Sequence, residues 1–380
     1  MSADWAGKYD IKVLFYGSAV NGLLTCGASD VDLVVLLCDR NTGELVYQDH
    51  KDVLELIKKQ VFKCFPGNHG SRRLIIPNGV LALKRLYVLQ MEDTVTKLKI
   101  DLCVNNLLGI VNSEFLATYC KLDTRYHSAC RILKRIHTIY SPYKYQPYSK
   151  LTNYCLNMML LVFFQERGIL PNILRPTSES GWLEIEQQYK VNKSFYQGSL
   201  KQRVGGAGDS RYAQKSNAQQ RQVGETLRVT FLTNINRLSY QEAVEEYQTP
   251  MTYDHHTTTA ELLLDFLTFM TNDKFLDIHC FDVPNGKMTL KSQISRKILG
   301  MTTDPDNRPD LHPYYVIDPF DLNHNPGKSV KYKEVRLLPQ QKKYFSMIKS
   351  YRVFFQRMVE KIKDGKLLLQ LVSELSKGDE

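Results

Sequence analysis

Val13-Leu-Phe-Tyr-Gly-Ser-Ala-Val-Asn-Gly-Leu-Leu-Thr-Cys-Gly-Ala-Ser-Asp-Val-Asp-Leu-Val-Val-Leu-Leu37 is the stretch that decides the fold. Apolar Val13 to Phe15 read as a buried strand, Gly17-Ser18 break it, and Ser29-Asp30-Val31-Asp32 open a second strand that continues as Leu33 to Leu37. On a strand, Asp30 and Asp32 at i and i+2 project from one face while Val31 points to the other. Two carboxylates held that close repel unless a cation lies between them. Oxygen-only ligands suit magnesium or manganese better than zinc. A solvated strand end is the ordinary reading of an isolated D-x-D. Gly17-Ser18 argue against it here. A glycine followed by a hydroxyl residue, at a turn with free backbone N–H groups, offers the close approach and the donor that a triphosphate tail needs.

Working outward, 380 residues suggest two domains with an insertion and allow sizeable cores. Lysine and arginine outnumber acids 50 to 40, and the net charge of +10 suits a polyanionic partner, with solubility alone as the plain alternative. The eight cysteines form no C-x-x-C pair and mostly sit in apolar runs, as buried free thiols in a reducing compartment would. No apolar run reaches membrane-spanning length without polar interruption, so no membrane partner is expected. The N-terminus, Met1-Ser-Ala-Asp-Trp-Ala-Gly, is neither an apolar signal peptide nor an arginine-rich transit peptide, which leaves room for a processed leader.

Lys51 to Phe65 carries apolar residues at helical spacing and ends in Pro66-Gly67, which predicts a helix packed on the sheet. Leu74 to Ile76, Leu81 to Leu89 and Lys97 to Val104 are further strand candidates. Asp101 lies inside the last of these, and a buried acid needs a cation or hydrogen-bond donors. On the strand beside Asp30 and Asp32 it completes a three-carboxylate cluster; the plain alternative is a strand-edge aspartate in solvent. From Asn112 to Gly168 the apolar period becomes helical, so a second, helical domain begins here. Lys134 falls on the basic face of one helix and Thr152-Asn153-Tyr154 opens the next, where free N–H groups beside lysines can hold phosphate. Residues 172–250 are rich in Gln, Ser, Asn and Gly, and the turn Val204-Gly-Gly-Ala-Gly-Asp209 lacks the ending of a P-loop, so this reads as an inserted small domain. Its basic residues suit RNA or simply solvent. Thr257 to Met270 is an amphipathic helix introduced by cap-type threonines. The chain past Lys274 reads as irregular up to Tyr314, and a helix pair, Pro339 to Ile362 and Leu367 to Leu375, finishes it.

Four separated motifs fall in one order: Gly17-Ser18 with Ser29-Asp-x-Asp32, Asp101, Asn112-Ser113, and Ile317-Asp-Pro-Phe-Asp321 followed by Asn323-His-Asn325. The series resembles the terminal uridylyltransferases, in the noncanonical poly(A) polymerase branch of the DNA polymerase β nucleotidyltransferase superfamily. Within that branch it is most similar to the compact mitochondrial uridylyltransferases of trypanosomes, in particular those associated with editosome-like complexes. The resemblance covers the chain apart from the insertion. It implies an α+β fold: a catalytic nucleotidyltransferase sheet domain over 1–110, and a mostly helical nucleotide-recognition domain over 111–171 and 251–380 carrying the insertion at 172–250.

By the same resemblance, Asp30, Asp32 and Asp101 match the catalytic metal triad, binding two Mg2+ or Mn2+ ions. Gly17 and Ser18 match the triphosphate turn, Asn112 the ribose contact, and Ser113, Lys134 and Asn153 phosphate positions. Tyr154 matches the aromatic on which uracil stacks, Asp318 and Asp321 the acidic pair below the base edge, and His324 the histidine beside that edge. Two departures stand out: Asn153 replaces a usual serine, and Thr138 a usual second lysine. The implied function is template-independent transfer of UMP from UTP to the 3′-hydroxyl of single-stranded or gapped RNA, in mitochondrial RNA processing or uridine-insertion editing, with an editosome-like complex as a partner. A poly(A) polymerase of the same branch, a small-molecule nucleotidyltransferase and a noncatalytic RNA-binding subunit are the alternatives. Loss of a carboxylate would mark the last, and none is lost.

Overall fold

The computed structural model describes residues 7–25, 30–46, 48–66, 72–83, 86–142, 151–176, 229–231, 256–294, 308–320, 324–330 and 342–365. These fall into two compact units, 7–24 with 30–117 in the first, and Thr25 with the described residues from Thr118 onward in the second. The expected insertion lies outside the described residues except at 172–176 and 229–231, and so does the expected tail helix at 367–375.

The first unit is a six-stranded sheet of β1 (Tyr9–Tyr16), β2 (Val31–Asp39), β3 (Leu74–Ile75), β4 (Val80–Ala82), β5 (Tyr87–Asp93) and β6 (Lys99–Val104). Its order is β1-β2-β6-β5-β3, with β4 beside β5. Two helices pack with it: α1 (His50–Cys64), capped by Asp49, whose side chain accepts from the N–H groups of Lys51 and Asp52, and α2 (Leu107–Leu122), of which the part up to Ala117 belongs to this unit. Alternation along β2 decides which way its residues face. Val34, Leu36 and Cys38 pack with Cys103 and with Leu107 and Ile110 of α2, while Val35 and Leu37 pack with Leu89, Met91, Leu102, Val104 and α1 residues Val53 and Leu54. Each such side chain contributes ~1.5–3 kcal/mol on burial, so a one-residue slip that swaps the faces is strongly disfavoured. The orientation of Asp32, two residues before Val34, is fixed by the same packing.

The expected single strand from Leu81 to Leu89 is instead parts of two, β4 and β5, folded back so that the Leu83 N–H donates to the Leu86 carbonyl at 2.9 Å. The apolar run is broken at the bend only by Lys84-Arg85, and with no glycine or asparagine there the pair reads as strand surface rather than a turn. The junction from β6 to α2 is made by Asn105, which takes a left-handed φ of 51°. Its side chain accepts from the Leu37 N–H at 3.1 Å and donates to the Val46 carbonyl at 2.9 Å, satisfying backbone at the sheet's end.

The second unit contains α3 (Thr124–Tyr140), α4 (Asn153–Glu166), the pair β7 (Leu174–Pro176) and β8 (Val229–Phe231), α5 (Thr259–Phe269), α6 (Asp273–Ile278) and α7 (Lys342–Lys363). Asp123 caps α3, Thr152 caps α4, and Thr258 with Glu261 forms a capping box on α5. Every residue of α4 from Cys155 to Gln165 is buried, as an apolar run with few charges requires. The stretch expected to be irregular past Lys274 is ordered: α6 leads into β9 (His279–Asp282) and β10 (Lys287–Leu290), and β11 (Val316–Ile317) joins β9 in parallel to complete a three-stranded sheet. Four-residue and two-residue strands are too short to show a period, which is why the sequence conceals them. Cys38, Cys103, Cys120, Cys130, Cys155 and Cys280 are buried free thiols, while Cys64 is exposed. Among the described residues no helix is long and apolar enough to cross a membrane.

Candidate active site

Tyr16, the last residue of β1, pairs with Asp32 of β2, and the chain then turns at Gly17 with φ +66° into a single 3₁₀ turn, Gly17–Ala19. A Cβ on Gly17 would overlap the Asp32 carboxylate and sit 2.9 Å from its Cγ, so this position excludes a side chain twice, by backbone conformation and by contact. The Gly17 N–H donates to Ser113 Oγ at 2.6 Å, and that hydroxyl donates to the Gly109 carbonyl at 2.6 Å. The expectation of free N–H groups at the turn therefore fails at Gly17 itself. The first N–H groups of a helical turn have no partner within it, so the amides of Ser18 and Ala19 and the Ser18 hydroxyl are the donors this turn can offer.

Asp32 lies opposite Asp101 in the parallel β2/β6 ladder, so the two side chains share a face, and Asp30 leads into β2 with the same parity. Asp101 lies opposite Gln90 of β5, and Gln90 Nε2 donates to Asp101 Oδ1 at 3.2 Å. Burial, then the negative charge of Asp30, hold the Asp101 carboxyl above the usual carboxylate range. Nearby, burial raises the Tyr16 hydroxyl and pushes the Cys103 thiol up to about 11, and the charge of Asp32 adds to both shifts. Asp32 and Asp101 on one face, with the charge of Asp30 acting on Asp101, are oxygen donors of the kind a hard divalent cation takes. Among the described residues no three acidic, His or Cys side chains close into a ready ligand cage. Asn112 is half-buried on α2 and Ser113 fully buried.

The remaining sequence-predicted residues belong to the second unit. Lys134 is buried on α3, and its carbonyl accepts from Thr138 Oγ1 at 2.8 Å, so the threonine turns its hydroxyl back onto the helix. Asn153 and Tyr154 form the first turn of α4, beside the Thr152 cap that accepts from Cys155 N–H at 3.1 Å. Asp318, fully buried just after β11, accepts from Phe320 N–H at 3.0 Å through Oδ1, and its Oδ2 lies 2.9 Å from Nδ1 of half-buried His324. Asp321 lies outside the described residues. Asn325 holds this loop: its Oδ1 accepts from Val316 N–H at 3.1 Å and Gly327 N–H at 2.8 Å. Sequence reasoning did not single out Tyr16, Gln90, Asn105 or Gly109. Only strand register reveals Gln90 beside Asp101, whereas an asparagine ending an apolar strand is a readable signal for Asn105.

Residues 3–121 match the family model described as poly(A) RNA polymerase, mitochondrial-like, central palm domain. Among curated proteins, the human mitochondrial poly(A) RNA polymerase is 25% identical over 240 residues, covering 62% of this chain and 30% of that protein. The poly(A) RNA polymerase GLD2 of Xenopus tropicalis is 24% identical over 173 residues, 46% of this chain and 30% of that protein. The matches thus span about a third of the length of these relatives. Among solved structures, mtPAP in complex with UTP superposes with a TM-score of 0.57 at 17% identity, over 96% of this chain and 62% of that one. A cytoplasmic RNA terminal U-transferase gives 0.53 at 16% identity, over 94% and 82%. The Cid1 poly(U) polymerase with MgGTP gives 0.55 at 17%, over 93% and 82%. The chain therefore has the mixed α+β, polymerase β-like nucleotidyltransferase fold of the noncanonical poly(A) and poly(U) polymerases.

Proposed function

We propose that this protein transfers UMP from UTP to the 3′-hydroxyl of RNA without a template. The reading is carried by Asp32, whose carboxylate lies against the Gly17 turn and opposite Asp101. A carboxylate in that position can hold a cation between the acidic cluster and a phosphate seated at the turn. Asp30, Asp32 and Asp101 would hold magnesium. Bound there, Mg2+ would lower the pKa of the attacking hydroxyl and steady the pyrophosphate leaving group. Ser18 would donate to the triphosphate, Asn112 would bind the ribose, Lys134 would balance phosphate charge, and the Asn153 amide would donate to a phosphate oxygen. The net charge of +10 suits an RNA backbone.

For the base, Tyr154 offers a ring on which uracil can stack, for ~1–3 kcal/mol. His324, held by Asp318, offers an N–H to the uracil O4 acceptor where adenine carries an amino group. The poly(A) polymerase reading is favoured by a different observation, the names of the curated relatives. A mitochondrial location and a place in an editosome-like complex belong to the same proposal, the first supported by the name of the human relative. Incubating the full chain with short labelled RNA, Mg2+ and each nucleotide in turn tests it. Extension with UTP supports the proposal, and extension with ATP alone replaces it with the poly(A) reading.

A further inference from the structure

We infer that Ser113 is a positioning residue that locks the Gly17–Ser18 turn to helix α2, and that it does not touch the triphosphate. A serine hydroxyl has one proton to donate. Here that proton goes to the Gly109 carbonyl one helical turn back, and the oxygen accepts from the Gly17 N–H, both at 2.6 Å. A phosphate oxygen needs a donor, and Ser113 has none left to give. The residue is also 3% exposed, which leaves its hydroxyl little access to a ligand. Gly109 makes the arrangement possible. A Cβ there would lie 2.9 Å from Tyr16 Cδ2 and would crowd the Asn106 side chain, so only glycine lets α2 approach the end of β1 closely enough for Ser113 to reach Gly17. An i to i−4 serine bond inside a helix normally gives little to stability. Here it aims the oxygen's lone pair at a strand-turn amide far away in sequence. The strut thereby fixes the turn that presents Ser18 and against which Asp32 packs.

This assignment rests on the reading that the turn receives the nucleotide's phosphates, but its first test needs no activity. In nucleotide-free protein, amide exchange at Gly17 should quicken at least about tenfold in Ser113→Ala while the central strands β2 and β6 stay protected. Ser113→Cys, close in volume and a poor acceptor, should do the same and serves if the alanine variant does not fold. The second test is a double-variant cycle in RNA extension. If Ser113 acts through the turn, Ser18→Ala with Ser113→Ala should extend within about twofold of the slower single variant, because the two changes disable one device. Unchanged Gly17 exchange, or single-variant losses that multiply, would overturn the inference. Should the parent extend no RNA at all, the functional reading has failed, and Gly17 exchange alone decides the strut.

Discussion

The Asp32 carboxylate rests on the α-carbon of Gly17, so the glycine-hydroxyl turn and the D-x-D strand, separate motifs along the chain, are one contact in the fold. Gly17→Ala should therefore act in two ways. A side chain at φ +66° costs ~1–2 kcal/mol of stability, readable in urea denaturation. The added methyl also displaces Asp32, so RNA extension should fall about a hundredfold, equivalent to ~3 kcal/mol of transition-state stabilisation. A rate within threefold of the parent would show that the contact does not matter to the chemistry.

Asp101 links pH, metal and stability. Burial, and after it the charge of Asp30, raise its carboxyl above 3.8. Between the ordinary value and the raised one the native chain holds more protons than the unfolded chain, so this group's contribution falls as pH climbs through that window and stays unfavourable at neutral pH. Without divalent ions, Asp101→Asn should melt above the parent at pH 7. Added Mg2+ should raise the parent's Tm more than the variant's. Melting curves with EDTA and with magnesium check both, and an equal magnesium shift in the two proteins would remove Asp101 from the metal set.

His324 sets an expectation about base choice. One hydrogen bond contributes ~1–2 kcal/mol, so His324→Ala should cut the preference for UTP over ATP by roughly 5- to 30-fold. With Nδ1 engaged by Asp318, donation from Nε2 requires the imidazolium form. Competition of the two nucleotides on one primer measures the ratio. A ratio unchanged in the variant would return the ring to a purely structural role.

Lys291 marks a structural dependence. Its Nζ donates to the carbonyls of Leu276 at 2.9 Å, Asp277 at 3.1 Å, His312 at 2.7 Å and Pro313 at 3.4 Å, tying the end of α6 to the segment that leads into β11 and Asp318. Lys291→Met should leave those buried carbonyls short of donors and cost ~2–4 kcal/mol in urea unfolding. A loss under ~0.5 kcal/mol would mean that water or another group replaces the ammonium.

The sequence was most readable where periodicity is strong and motifs are local. The turn and β2, α1 and the Thr152 and Thr258 caps follow from spacing, but the expected burial of Val13 to Phe15 does not hold: β1 is the edge strand of the sheet, and Val13 and Phe15 are 56% and 59% exposed. The hairpin at β4 and β5 and the short strands β9 to β11 did not follow from spacing, because Lys84-Arg85 lacks the glycine or asparagine that marks a turn and two- to four-residue strands have no period. Contacts between distant residues were hidden as well. Nothing in the spelling of Asn112-Ser113 tells that its serine is consumed by Gly17, and Gln90 stands beside Asp101 only through strand register.

The central claim, that the carboxylates on β2 and β6 run nucleotidyl transfer, is tested most directly by Asp32→Asn. The full chain and this variant would be given labelled RNA, Mg2+ and UTP, with folding followed by circular dichroism. The account predicts an intact fold and at least about a thousandfold slower extension, a loss of ~4 kcal/mol. A folded variant that still extends RNA within tenfold of the parent would contradict it.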